Sequence, residues 1–139
     1  MRLQLALNVD NLDASIAFYS QLFGVAPHKL RDGYANFEIA EPPLKLVLFE
    51  QPGETQRLNH LGVELQNERE LNDAKARLTD AGLVKLTEEG TTCCFAEQDK
   101  VWAQEPDGLA WEWYRITDDD PAPEDAPALS PPPEVRGCC

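Results

Sequence analysis

The chain has 139 residues, with 12 Lys and Arg against 25 Asp and Glu, and a formal net charge of −13. This length suits one domain with a hydrophobic core, or two small fused modules. The acidic balance argues against a nucleic-acid partner, because neutralising phosphates needs a basic surface. No apolar run approaches the ~20 residues that span a bilayer, and the N-terminus lacks a signal-peptide pattern. We therefore expect a cytoplasmic protein with no membrane partner.

The first half of the sequence predicts one strand, one helix and two further strands. Residues 3–9 are typical of a largely buried strand. A helix follows, capped by Asp10 or Asn11 and ended by Gly24. Its apolar positions recur at helical spacing: Leu12, Ile16, Tyr19, Leu22 and Phe23. Residues 34–40 and 44–50 predict the two further strands.

The second half repeats this order. Residues 58–64 predict a strand, and a helix follows from about Glu68 to Gly82. Further strands are predicted over residues 84–88, about 94–97, 101–104 and 109–116.

The two halves match in detail, with a few extra residues in the second half. The segment from Gln4 matches the segment from His60, and Glu41-Pro42 matches Glu105-Pro106. A repeat of about 56–60 residues is an organising feature of this kind of fold. We predict an α+β fold of two tandem βαβββ modules, whose curved mixed sheets enclose a cleft. The modules span residues 1–54 and 55–116, and the Pro-rich acidic residues 117–139 are predicted to be a disordered tail.

The repeat predicts a metal site. Gln4 and His60 occupy equivalent strand positions, while Glu112 lies in an apolar, aromatic stretch where a carboxylate needs pairing or a metal. Val47 matches Glu112 in the first module, so the site has three protein ligands and open positions for substrate or O2. Alone, His60 or Gln4 is more often structural than a ligand, whereas Glu112 between two Trp is less easily explained as structural. His28 lies in a loop context and is expected to face solvent.

The cysteines form two adjacent pairs, Cys93-Cys94 and Cys138-Cys139. In the cytoplasm we expect reduced thiols and no disulfide framework. Successive strand residues point to opposite faces, but Gly90 favours a distorted turn that lets the first two thiols converge on one soft atom. The alternative is that both are small buried apolar residues. The second pair, on the acidic tail, is either a further soft-ion ligand or incidental.

With these residues in place, the sequence resembles the vicinal oxygen chelate (glyoxalase/bleomycin-resistance/dioxygenase) superfamily. Within it, the chain is similar to the branch that holds cadmium-induced proteins and organoarsenical C–As lyases. Five stretches carry the resemblance: Leu5–Val9, Gly33–Glu50, Leu58–Glu64, Thr91–Trp102 and Trp111–Glu112. The joined Cys-Cys and Gln-Asp-Lys-Val-Trp segment is the most specific of them.

The resemblance implies a non-haem Fe(II)-dependent dioxygenase that cleaves the C–As bond of trivalent methyl- or aryl-arsenicals in arsenic detoxification. It makes Gln4, His60 and Glu112 the metal ligands, and Cys93 and Cys94 the substrate-binding residues. Many members have His where this chain has Gln4, so Ni, Co or Zn are also candidates for the site. The partners it implies are an organoarsenical and O2. The modules pair within one chain or across a homodimer.

Other functions fit the same fold. A cadmium-induced, soft-metal-binding protein without lyase activity would use the same thiols and acidic charge. A glyoxalase-type isomerase is disfavoured by Val47, and a drug-binding module would need neither the cysteine pair nor Glu112.

Overall fold

The structure, a computed structural model, describes residues 1–122. Within that range the chain forms eight strands and two helices. They follow in the order β1 (Arg2–Val9), α1 (Leu12–Phe23), β2 (Lys29–Arg31), β3 (Tyr34–Ile39), β4 (Leu44–Glu50), β5 (Leu58–Leu65), α2 (Glu68–Asp80), β6 (Val84–Cys93), β7 (Ala96–Gln104) and β8 (Ala110–Asp118). The α+β class and the repeated strand–helix–strands order are confirmed.

The chain divides into two compact units, an N-terminal unit of Arg2–Leu61 and a C-terminal unit from Gly62 onward. The division falls inside β5. The module bounds 1–54 and 55–116 stay a prediction. β8 extends to Asp118, so the first residues of the predicted tail are strand. Residues 123–139, with Cys138 and Cys139, lie outside the described residues.

In the N-terminal unit the strand order is β2-β3-β4-β1. β1 and β4 run parallel, whereas β3 is antiparallel to β2 and β4. Asn11 caps the start of α1, its side chain accepting a hydrogen bond from the Ala14 amide at 2.9 Å, and Gly24 caps the end with a left-handed φ of 66°. The unit's core comprises Val9, Leu12, Ala35, Phe37, Ile39, Leu46 and Leu48.

In the C-terminal unit the order is β8-β7-β6, and the end of β5 lies beside β8. β6, β7 and β8 pair antiparallel. Asn67 caps α2, which packs its buried face into a core of Leu65, Leu71, Ala74, Leu78 and Val101.

Two sequence predictions of strands were wrong. The three short strands predicted over residues 84–104 are two long strands, because a register shift between Glu88 and Thr91 interrupts the residue pattern without ending β6. The predicted strand at 94–97 is instead a reversal at Cys94 and Phe95 followed by the start of β7. The short strand β2 was not predicted, since its three residues carry too little pattern.

Candidate functional site

Two of the predicted ligands meet in the N-terminal unit. Gln4 on β1 and His60 on β5 are 5% and 0% exposed. The Gln4 Nε2 atom lies 3.0 Å from the His60 Nε2 atom. The residues that the repeat paired in sequence are therefore in direct contact. Their role as metal ligands stays a prediction.

Two asparagine side chains are hydrogen-bonded in series to the Nδ1 side of the His60 ring. The His60 Nδ1 atom is 2.8 Å from Asn59 Oδ1, and the Asn59 amide donates to Asn8 Oδ1 at 3.0 Å. The Asn8 amide in turn donates to the backbone carbonyl of Gln56 at 2.8 Å. Sequence reasoning missed these asparagines. The available signal was the pair of asparagines on two strands that also carry the candidate ligands.

Glu112, the third predicted ligand, is buried in the C-terminal unit beside Lys100. The two side chains are 2% and 1% exposed, and Lys100 Nζ lies 3.3 Å from Glu112 Oε2. Lys100 Nζ also lies 5.4 Å from the ring centroid of Trp102, within the range of a cation–π contact. Burial of Glu112 was taken to require a partner or a metal, and the structure supplies an ammonium partner. Sequence reasoning missed this role of Lys100.

Cys93 and Cys94 lie at a hairpin reversal. Cys93 ends β6, and Cys94 and Phe95 have left-handed φ values of 54° and 62° before β7 begins. These two residues form the two-residue loop of the hairpin. Positive φ at both positions is typical of a type I′ turn, whose twist matches that of the flanking strands. The Sγ atoms of Cys93 and Cys94 are 3.5 Å apart. The thiols thus converge as predicted, but the left-handed backbone at Cys94 achieves it rather than Gly90.

The two sulfurs are close but not bonded to each other. A disulfide needs an S–S distance of about 2.05 Å, whereas these two sulfurs are 3.5 Å apart. The expectation of reduced thiols stays a prediction.

Asp99 on β7 holds the irregular part of β6 around Gly90, which precedes the hairpin reversal. Its carboxylate accepts hydrogen bonds from the Gly90 amide at 2.8 Å and from Arg115 at 2.7 Å. Burial alone would raise the pKa of Asp99, but the hydrogen bonds from Gly90 and Arg115 and the nearby cations outweigh it and lower the pKa. The carboxylate therefore stays charged and holds Gly90, with its φ of 58°, in place.

The remaining candidates lie elsewhere. His28 is 38% exposed and lies 3.7 Å from Glu38. Within residues 1–122, no three side chains drawn from His, Cys, Asp and Glu are grouped closely enough to hold a metal ion. A cavity of about 450 Å³ lies beside α1 and includes none of the predicted site residues. Neither helix of the described part is long and apolar enough to cross a membrane.

Comparison with known proteins identifies the family of this chain. The Glyoxalase/Bleomycin resistance protein/Dioxygenase superfamily matches residues 3–113. The chain belongs to this superfamily.

Among its relatives, the cadmium-induced protein CadI of Mycobacterium tuberculosis is 58% identical over 85% of this chain and 78% of its own. A trivalent organoarsenical cleaving enzyme of Thermomonospora curvata is 55% identical over 85% of this chain and 79% of its own. Among solved structures, the Mn(II)-bound glyoxalase of Novosphingobium aromaticivorans superposes with a TM-score of 0.62 at 19% identity, over 86% of this chain and 40% of that chain. This last likeness shows the fold alone.

Proposed function

We propose that this protein is an Fe(II)- and O2-dependent enzyme that cleaves the C–As bond of trivalent organoarsenicals and releases arsenite. The observation that carries the proposal is the 3.5 Å separation of the Cys93 and Cys94 sulfurs at the hairpin reversal. The 55% identity with a trivalent organoarsenical cleaving enzyme supports the same activity.

The sulfur geometry fits a single thiophilic atom. Metal–thiolate bonds are about 2.3 Å long, so two sulfurs 3.5 Å apart can both reach one centre of similar size. A monosubstituted trivalent arsenical offers two exchangeable positions, which two thiolates would fill. Both cysteines must be reduced for this, which fits a reducing cytoplasm as the working compartment.

We propose Gln4, His60 and Glu112 as the metal ligands. The donor set fits a divalent ion: a buried imidazole with a neighbouring amide, and a buried carboxylate, leave further positions for exogenous ligands. Gln4 would bind through its amide oxygen, so its present contact with His60 Nε2 would be exchanged for bonds to the metal. Ni, Co or Zn are expected to bind these residues as well.

The chain's own residues would prepare this chemistry. Bound iron would supply the activation of O2, and the cysteine pair would hold the arsenic in place for attack on its carbon bond. Lys100, 3.3 Å from Glu112, keeps that carboxylate compensated before metal enters. Burial of Gln4, His60 and Glu112 excludes bulk water from the proposed ligands.

The test is an aerobic assay of arsenite release from methylarsenite, with thiol-reduced protein and added Fe(II). Wild type should turn over, and Cys93→Ser/Cys94→Ser should lose turnover. Cys138→Ser/Cys139→Ser removes the same number of thiols and should retain activity. Equal turnover without O2 would rule out the dioxygenase reaction, and equal turnover of the Cys93→Ser/Cys94→Ser variant would rule out the substrate site.

A second candidate is sequestration of soft metal ions without catalysis, favoured by the same sulfur pair and by the 58% identity with cadmium-induced proteins. Titration of reduced protein with Cd(II) separates the two functions. Tight Cd(II) binding that depends on Cys93 and Cys94, together with no arsenite release, would support sequestration over cleavage.

A further inference from the structure

A series of hydrogen bonds connects the His60 ring to a backbone carbonyl. The backbone carbonyl of Gln56 accepts from the Asn8 side chain at 2.8 Å. Asn8 then contacts Asn59 at 3.0 Å, and Asn59 contacts the Nδ1 atom of His60 at 2.8 Å. All four residues belong to the N-terminal unit.

The Gln56 carbonyl, at the start of this series of hydrogen bonds, determines how each side chain after it is oriented. A backbone carbonyl only accepts, so Asn8 must present its NH2 group to Gln56 and its oxygen to Asn59. Asn59 must then donate through its NH2 group and present its oxygen to His60. An amide oxygen only accepts, so the hydrogen of that contact resides on His60 Nδ1.

This assignment leaves the other ring nitrogen as an acceptor. In a neutral imidazole with hydrogen on Nδ1, the Nε2 atom carries a lone pair. The Gln4 Nε2 group, 3.0 Å away, can donate to that lone pair, so the contacts on both sides of the ring agree. His60 is fully buried, and therefore protein groups rather than bulk water select its tautomer.

We propose that Asn59, oriented by Asn8, is a positioning residue that holds His60 in the Nδ1–H tautomer with the Nε2 lone pair directed at Gln4. This inference rests on the proposed function only in making that lone pair a metal donor. Metal-bound histidines generally donate their other ring N–H to a protein acceptor, and loss of the acceptor weakens metal binding by about 10- to 100-fold.

The test uses long-range ¹H–¹⁵N NMR of the imidazole nitrogens in the metal-free protein. The chain has only two histidines, so His28→Gln assigns the signals. Wild-type His60 should show a protonated Nδ1 and an unprotonated Nε2. Asn59→Leu should shift His60 toward the other tautomer, whereas Asn59→Asp retains an acceptor oxygen and should preserve the Nδ1–H form.

The matched control is Asn36→Leu, which removes another buried asparagine whose amide contacts Tyr34 and not His60. It should leave the His60 spectrum unchanged. Ni(II) titration of the same variants should show the loss of affinity in Asn59→Leu, with Asn36→Leu close to wild type.

A wild-type His60 protonated at Nε2 would overturn the proposal, and so would an unchanged tautomer in folded Asn59→Leu. The wild-type spectrum alone decides the first point if that variant does not fold. Because the spectra are recorded without metal, a correct tautomer combined with no Ni(II) binding would refute the metal site and leave the positioning role standing.

Discussion

Replacing Lys100 with methionine tests the buried ion pair directly. Lys100→Met keeps an unbranched side chain but leaves the Glu112 carboxylate, 2% exposed, without the ammonium 3.3 Å away. Removing one partner of a buried pair costs about 3–5 kcal/mol, because the remaining buried charge loses its ammonium partner. Small domains are stable by about 5–15 kcal/mol, so the variant should fold with a clearly reduced free energy of unfolding.

The matched control is Lys75→Met. Lys75 and Glu89 have the same 3.3 Å separation but are 21% and 77% exposed, so their pair should contribute only about 0–1 kcal/mol. Urea unfolding of metal-free protein at neutral pH gives both values, with unchanged m-values as the check on two-state behaviour. Adding Glu112→Gln to Lys100→Met should recover part of the loss. A cost for Lys100→Met no larger than that for Lys75→Met would refute this reasoning.

Three further predictions address the hairpin and the ligands. Burial raises the pKa of Asp99, but the contacts from Gly90 and Arg115 outweigh it and lower the pKa. The contribution of Asp99 to folding stability is therefore complete above the ordinary pKa of 3.8, and it is lost as pH falls through the lowered pKa. Asp99→Asn should therefore destabilise at neutral pH, with the difference from wild type shrinking in acid unfolding curves. Phe95→Gly should raise the free energy of unfolding by up to about 1 kcal/mol. A left-handed conformation costs a non-glycine residue about 1–2 kcal/mol, and the greater conformational entropy of glycine in the unfolded chain offsets part of the gain from removing that cost. A lower urea midpoint would contradict this. Gln4→His should tighten Ni(II) binding in calorimetry, because imidazole is a stronger donor than a neutral amide, and weaker binding would argue against Gln4 as a ligand.

The internal repeat made the fold predictable from sequence. Apolar spacing located both helices, and Gly24 and Gly82 marked the ends of their segments because each adopts a left-handed φ. The β6–β7 hairpin was not predictable in the same way. Cys94 and Phe95 lack the Asn-Gly chemistry that normally signals such a turn, so their reversal was assigned to a strand.

The site was partly predictable for a related reason. Repeat symmetry identified Gln4 and His60 as neighbours, which the 3.0 Å contact between them confirms. Symmetry says nothing about Lys100 or Asn59, since each acts through a side-chain contact that has no counterpart in a strand pattern. Charge balance predicts that a buried Glu112 has a cation or a metal as its partner. The sequence does not say which cation, and the structure identifies it as Lys100.

The proposed activity depends on a metal ion bound by one amide, one imidazole and one carboxylate. Anomalous diffraction from crystals of reduced protein loaded with Fe(II), or with Ni(II) as an air-stable substitute, locates such an ion. We expect a single strong peak bonded to Gln4, His60 and Glu112. A peak at other residues, or full occupancy that survives Glu112→Gln and His60→Ala, would contradict the proposed metal centre.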